Sequence, residues 1–295
     1  MTGSKSRRLG KRKGTGGGQP WYRTLSGRLP RSAWVFVAVL VIGVVVLAVV
    51  RPWGSTPPDN TGTPRAAIVD QLYNLQPNEE FIAEVTSELE DYGFEVDLYQ
   101  GDDITVDFYR DLASRGHRLI LFRVHSGLVI ENGQVLQRTL LFTNEGYSAS
   151  KYPAEQLSDR LGKGSAAEGE PMMFGITAGF VASSRSMPGE FDDTAIIMMG
   201  CSALFYDDLA KAFVARGASV YLGWHGSVNL NYVDEATPYL MRQLCSGNAT
   251  ITEAVESTME VIGPDPRYLA ELRFYPRVSE DKTMAELLQL ASEGE

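Results

Sequence analysis

Leu119-Ile-Leu-Phe-Arg-Val-His125-Ser-Gly127 and Ala195-Ile-Ile-Met-Met-Gly-Cys201-Ser-Ala203 are two apolar runs, each ending in a reactive side chain beside a small residue. A short apolar run of this kind is the pattern of a parallel strand buried on both faces. In an open α/β sheet, ligands sit in the crevice at the carboxyl ends of the strands. If the two runs are neighbours in one sheet, His125 and Cys201 emerge at the same edge. A base then stands beside a thiol, the arrangement of a cysteine nucleophile dyad.

Outward from these runs the chain alternates between strand and helix from Arg65 onward. Ala66–Val69 reads as a strand, 78–92 as an amphipathic helix stopped by Gly93, 94–99 as a strand, and 105–114 as a helix stopped by Gly116. Beyond His125 the period changes. Leu128–Ile130 and Val135–Phe142, joined through Asn132-Gly133, predict a hairpin, because Asn-Gly favours a tight two-residue turn. A Gly- and Glu-rich loop is expected near 162–170, with short strands after it and the Cys201 strand over 194–199. A helix over 207–216, a strand over 218–224, helices over 233–244 and 250–260, a strand near 272–275 and a helix near 282–292 complete the pattern. Such alternation predicts an α/β fold, a mainly parallel sheet with helices on both faces.

The 295-residue chain has a net charge of −10 that hides a sharp division. Residues 1–51 carry ten Lys and Arg and no Asp or Glu, which leaves 17 basic against 37 acidic residues for the rest. An acidic body of this kind argues against a nucleic-acid partner, since phosphate contacts need basic surface. Trp34 to Val50 is an uncharged apolar run of 17 residues with basic residues before it. That length is at the lower limit for a membrane-spanning helix, and the charge bias places the amino terminus in the cytoplasm. A cleaved signal peptide is the rival reading, but its apolar core is usually about 7–15 residues and no clear small-x-small site follows. The expected organisation is a basic disordered tail over 1–33, a single transmembrane helix over 34–51, a Pro- and Thr-rich stalk over 52–64, and an extracytoplasmic α/β domain over 65–295. The chain's own helix would be its contact with the membrane.

The two-run pattern resembles the caspase-like, or clan CD, cysteine peptidases. In that family one apolar strand ends in His-Gly and a later one ends in a small residue followed by the nucleophilic Cys. Here those positions are His125-Ser126 and Gly200-Cys201. Met199-Gly-Cys-Ser-Ala203 and the following Leu209–Trp224 are most similar to the separase and CHAT types. The resemblance covers about residues 65–245 and implies a caspase-like sheet with Cys201 as nucleophile and His125 as general acid and base. It also implies an oxyanion hole made by the backbone N–H groups of Cys201 and Ser126, where Ser126 stands in place of the family's usual Gly. No metal or organic cofactor takes part in that chemistry, and the substrate is a peptide or protein. Some relatives carry an acidic residue two before the Cys, where this chain has Met199.

The chemistry accounts for these residue types. Only a thiolate attacks a carbonyl, and an ordinary thiol is mostly protonated at neutral pH. A nearby imidazole favours the thiolate and later protonates the leaving amine. Backbone N–H groups in the turn after Cys201, before the 207–216 helix, are expected to help hold an anion. Asp70, Trp224, Asn229 and Asp234 are candidates to line a substrate pocket, each weighed against a plain turn, cap or packing role. His225-Gly226 is a competing His-Gly pair that follows Cys201, and His117 begins its strand at the wrong end. Cys201 and Cys245 are the chain's two cysteines, and an oxidising compartment would permit them to pair. With three histidines and no compact Cys/His cluster, a structural zinc site is not expected.

The expected function is therefore a membrane-anchored, extracytoplasmic cysteine endopeptidase. The alternative is a catalytically inactive caspase-like domain that binds a peptide or protein at the cell surface. A flavodoxin-like small-ligand domain fits less well, because Val69-Asp-Gln-Leu-Tyr-Asn74 has no glycine for a phosphate loop.

Overall fold

The computed structural model describes residues 62–131, 134–166, 169–246 and 248–290. The tail, the apolar span at 34–51 and most of the stalk lie outside the described residues. Among the described residues no helix is long and apolar enough to cross a membrane.

Six strands form the main sheet: β1 (Arg65–Asp70), β2 (Glu95–Gln100), β3 (Leu119–Arg123), β8 (Thr194–Met198), β9 (Ala218–Trp224) and β10 (Leu272–Tyr275). Their spatial order is β2-β1-β3-β8-β9-β10. All neighbours run parallel except β10, which is antiparallel to β9. Every residue of β3 and β8 is buried, which explains why both read as largely apolar runs, Arg123 and Thr194 apart, rather than as alternating ones.

Alternate residues along these strands feed two separate cores. Val69, Ile120, Phe122, Ile196 and Met198 face one side, where α2 (Val106–Asp111), α4 (Ala178–Val181) and α5 (Asp208–Ala215) supply Tyr109, Phe180 and Phe213. Ile68, Leu119, Leu121, Ile197 and Leu222 face the other. There α1 (Glu79–Asp91), α6 (Leu230–Cys245) and α7 (Ile251–Val261) contribute Phe81, Leu89, Leu240 and Ala254, and α8 (Met284–Leu288) adds Leu287. The helices start where their caps dictate. Asn78 accepts a hydrogen bond from the Phe81 N–H at α1, and Thr250 and Thr283 form reciprocal capping boxes with Glu253 and Glu286.

The expected mixed α/β fold with a mainly parallel, helix-flanked sheet is present. Beyond it the expected hairpin after His125 is also present, and it belongs to a second sheet whose further pairing the sequence did not indicate. β4 (Ser126–Glu131), β5 (Gln134–Gly146), β7 (Met173–Ile176) and β6 (Leu161–Gly164) form a four-stranded antiparallel sheet in that order. α3 (Pro153–Leu157) lies between β5 and β6 in sequence. Leu141, Leu161, Phe174 and Ile176 of this sheet close over the first core. Part of the expected 162–170 loop is thus β6. Its glycines are strand residues because Leu140 and Phe142 lie across them: a Cβ on Gly162 would meet Leu140 Cδ1 at 2.8 Å, and one on Gly164 would meet Phe142 Cε1 at 2.9 Å. The terminal helix is also shorter than the expected 282–292, ending at Leu288 where Gln289 turns left-handed.

Candidate active site

β3 and β8 are adjacent and parallel, with Phe122 in register with Met198 and the Met199 N–H bonded to the Phe122 carbonyl at 2.8 Å. Both chains leave the sheet at the same edge, so His125 and Cys201 stand at neighbouring carboxyl ends. The exit is tightly packed. A Cβ on Gly200 would lie 2.1 Å from Ser126 Oγ and 2.7 Å from the Val124 carbonyl. Only glycine fits there. Ser126 Oγ in turn donates a 2.7 Å hydrogen bond to the Cys201 carbonyl.

The His125 imidazole is half-buried, edge-on to Phe142 with centroids 6.2 Å apart. Its backbone N–H donates to Gln71 Oε1 at 2.9 Å, and Gln71 Nε2 donates to Asn144 Oδ1 at 2.5 Å. Nε2 of the ring is buried, with no hydrogen-bond partner among the described residues. Burial holds the imidazole pKa below its ordinary value, so the ring is neutral at neutral pH.

Cys201 Sγ faces the segment after β9. Its thiol donates to the Val228 carbonyl at 3.5 Å and accepts from the Val228 N–H at 3.4 Å. Burial raises the thiol pKa, the Val228 N–H opposes that rise, and the Asp265 carboxylate adds to it. Among the described hydrogen bonds none joins Cys201 Sγ to His125. Asp265 is fully buried, and its oxygens accept from the N–H groups of Asn229, Arg267 and Tyr268 at 2.7–2.8 Å. This carboxylate therefore fixes the loop that carries Val228.

The two expected oxyanion donors differ in setting. The Phe142 N–H bonds to the His125 carbonyl at 3.0 Å, so Ser126 and Leu141 form the kind of antiparallel pair whose amides point away from the ladder. Among the described residues β4 is an edge strand, and the Ser126 N–H points off that edge. After Cys201, Ser202 adopts a left-handed conformation at φ 56°. The N–H groups of Ser202, Leu204 and Phe205 are already bonded to the carbonyls of Gly226, Trp224 and Ser202. Most of the turn expected to supply anion-binding amides is thus occupied. α5 starts only at Asp208, seven positions after Cys201.

The substrate-pocket candidates occupy structural positions. Asp70, at the end of β1, is fully buried and accepts from Arg123 Nη1 at 2.8 Å. Asp234 takes the same guanidinium in bidentate fashion, at 2.7 Å from Nε and 2.8 Å from Nη2. Burial raises the Asp70 pKa against the pull of Arg123. Trp224 is 1% exposed and edge-on to Tyr232, and Asn229 caps α6 by accepting from the Asn231 N–H. Met199 is buried and accepts from Thr237 Oγ1. His117 lies at the opposite end of β3 against Asp97, as expected. His225 stands at the correct edge, stacked on Phe205. Cys201 and Cys245 are both free thiols.

Arg123, Gln71, Val228 and Asp265 went unnoticed in the sequence. Arg123 carried a signal, a lone cation inside an apolar strand, which demands buried acidic partners. The other three show no pattern, because Gln71 and Asp265 act by accepting hydrogen bonds from backbone N–H groups and Val228 acts through its own backbone. Cavities of about 310 and 470 Å³ lie along α7 and β10, and neither is lined by His125 or Cys201. Among the described residues no cluster of His, Cys, Asp or Glu could hold a metal ion. No protein-family model matches the chain, and no curated protein matches it.

Proposed function

We propose that this chain is a caspase-like cysteine endopeptidase, anchored by the apolar segment at 34–51 with its α/β domain outside the cytoplasm. The observation that carries the reading is the Ser126–Cys201 bond across the tight Gly200 exit, which sets the residues after β3 and β8 against each other. The thiol would pass its proton to neutral His125, and the sulfur would attack the peptide carbonyl. The Ser126 and Cys201 amides would hold the resulting oxyanion. Collapse of the tetrahedral adduct breaks the C–N bond, and His125 returns the proton to the leaving amine. Water, deprotonated by His125, then hydrolyses the thioester and restores the thiol. Before the first step, Cys201 Sγ must exchange its Val228 contacts for His125.

A second reading, a catalytically inactive surface module that binds a peptide or protein, is favoured by that same Val228 clamp. The burial of Asp70 beneath Arg123 also favours it. Hydrolysis of a mixed peptide library by the full-length chain, set beside Cys201→Ala and His125→Ala, separates the two. Cleavage lost in both variants supports the peptidase. Equal turnover in all three proteins would falsify it.

A further inference from the structure

Two loops run side by side at the candidate site. Residues 201–205 and 224–228 are laced by three contacts: Leu204 N–H to the Trp224 carbonyl at 2.9 Å, Ser202 N–H to the Gly226 carbonyl at 2.7 Å, and Cys201 Sγ with Val228. The sulfur lies at one end of this lacing. At the other end Phe205 stacks on His225, with centroids 5.3 Å apart and planes 24° from parallel. Tyr206 meets Phe205 edge-on at 5.1 Å. Phe205 is 45% exposed although the first core adjoins its neighbours Ala203 and Leu204. A ring held in a fixed stack but left facing solvent presents a rigid apolar surface. Its stacking partner is neutral at neutral pH, since burial and Arg273 lower the His225 pKa.

Phe205 lies four positions after Cys201, so their Cα atoms are at most about 14 Å apart. An extended peptide advances roughly 3.3 Å per residue, which places the shelf within about four positions of a bond held at the sulfur. Resting on the peptidase reading for the position of that bond, we propose that Phe205 and His225 form a subsite for an aromatic side chain of a peptide substrate. The occupant stacks against the free part of the Phe205 ring, where offset and edge-on contacts favour another aromatic group.

Binding tests this apart from cleavage. Fluorescein-labelled octapeptide pools, each with one position fixed as Phe, Leu, Ala or Asp, are titrated by fluorescence polarisation onto the full-length Cys201→Ala protein in detergent micelles. The pool with Phe fixed at one particular position is expected to bind about ten-fold tighter than its Ala counterpart. Adding Phe205→Ala should abolish that preference, and Phe205→Tyr should retain it. The ring is exposed, so neither change disturbs the core. Absence of any aromatic preference, or its survival in Phe205→Ala, overturns the assignment. If the preference obeys Phe205 while wild-type protein cleaves nothing, the subsite stands and the peptidase reading fails.

Discussion

Ser126 Oγ donates to the backbone carbonyl of Cys201 at 2.7 Å, so the residue after the candidate base holds the candidate nucleophile's own peptide unit. The family resemblance expects glycine where this chain has Ser126. Here the hydroxyl has work of its own, and its Oγ lies where any side chain on Gly200 would have to go.

Ser126→Ala should therefore lower stability by about 1 kcal/mol through the lost hydrogen bond. Gly200→Ala should cost more, about 1–3 kcal/mol, because the Val124 carbonyl obstructing the new Cβ is backbone and cannot rotate aside. Urea midpoints of both variants check the order. A Gly200→Ala protein as stable as wild type would contradict the packing at the exit.

Arg123 bridges Asp70 and Asp234, which lie 53 and 111 residues away in sequence. Arg123→Met leaves two buried carboxylates without their cation and should destabilise by about 3–5 kcal/mol. Converting both acids to amides in the Met background should recover a large part of that loss. Denaturant unfolding of the single and triple variants provides the comparison, and a silent Arg123→Met would rule out the network.

All three histidines have lowered pKa values, with burial as the main cause in each. A folded pKa below the unfolded value means that the unfolded chain takes up protons first as pH falls. Stability from these groups is intact above about pH 6.5, the unfolded value, and declines below it until each folded pKa is passed. The melting temperature should fall between pH 7 and pH 5, and His125→Gln should flatten part of that slope. An unchanged slope would show that His125 is not held neutral by burial.

Both cysteines should titrate as free thiols in denaturant without reductant. In the folded protein Cys245, pushed up to about 12 by burial, should resist alkylation. Cys201, also raised, should react slowly at pH 7 and faster in alkali. Asp265→Asn removes a nearby negative charge and should move the Cys201 alkylation profile to lower pH. Iodoacetamide kinetics across pH, with the modified residue identified by mass spectrometry, test this. Fast Cys201 labelling at pH 7 in the wild type would contradict the Val228 clamp.

The central strands were legible because burial on both faces writes itself locally, as four consecutive apolar residues, Ala195–Met198, in β8 and an apolar β3 broken only by Arg123. Their ends were legible too, since His125 and Gly200-Cys201 interrupt those runs abruptly. In the second sheet the β4–β5 hairpin was legible from the strand pattern around Asn132-Gly133, whereas β6 was hidden because Gly162 and Gly164 resemble loop residues until Leu140 and Phe142 are seen lying across them. The antiparallel course of β10 was equally hidden, since a four-residue strand carries no mark of its direction.

From its sequence alone this protein determined an alternating α/β chain and the two positions where reactive groups leave buried strands, because hydrophobic period and strand termination are local properties. Only the tertiary structure decided what those groups touch. Sulfur against Val228, Arg123 between two distant carboxylates, and Phe205 stacked on His225 are contacts between segments 20 to 111 residues apart. Nothing in a residue's near neighbours encodes a partner that the folding of the whole domain brings to it.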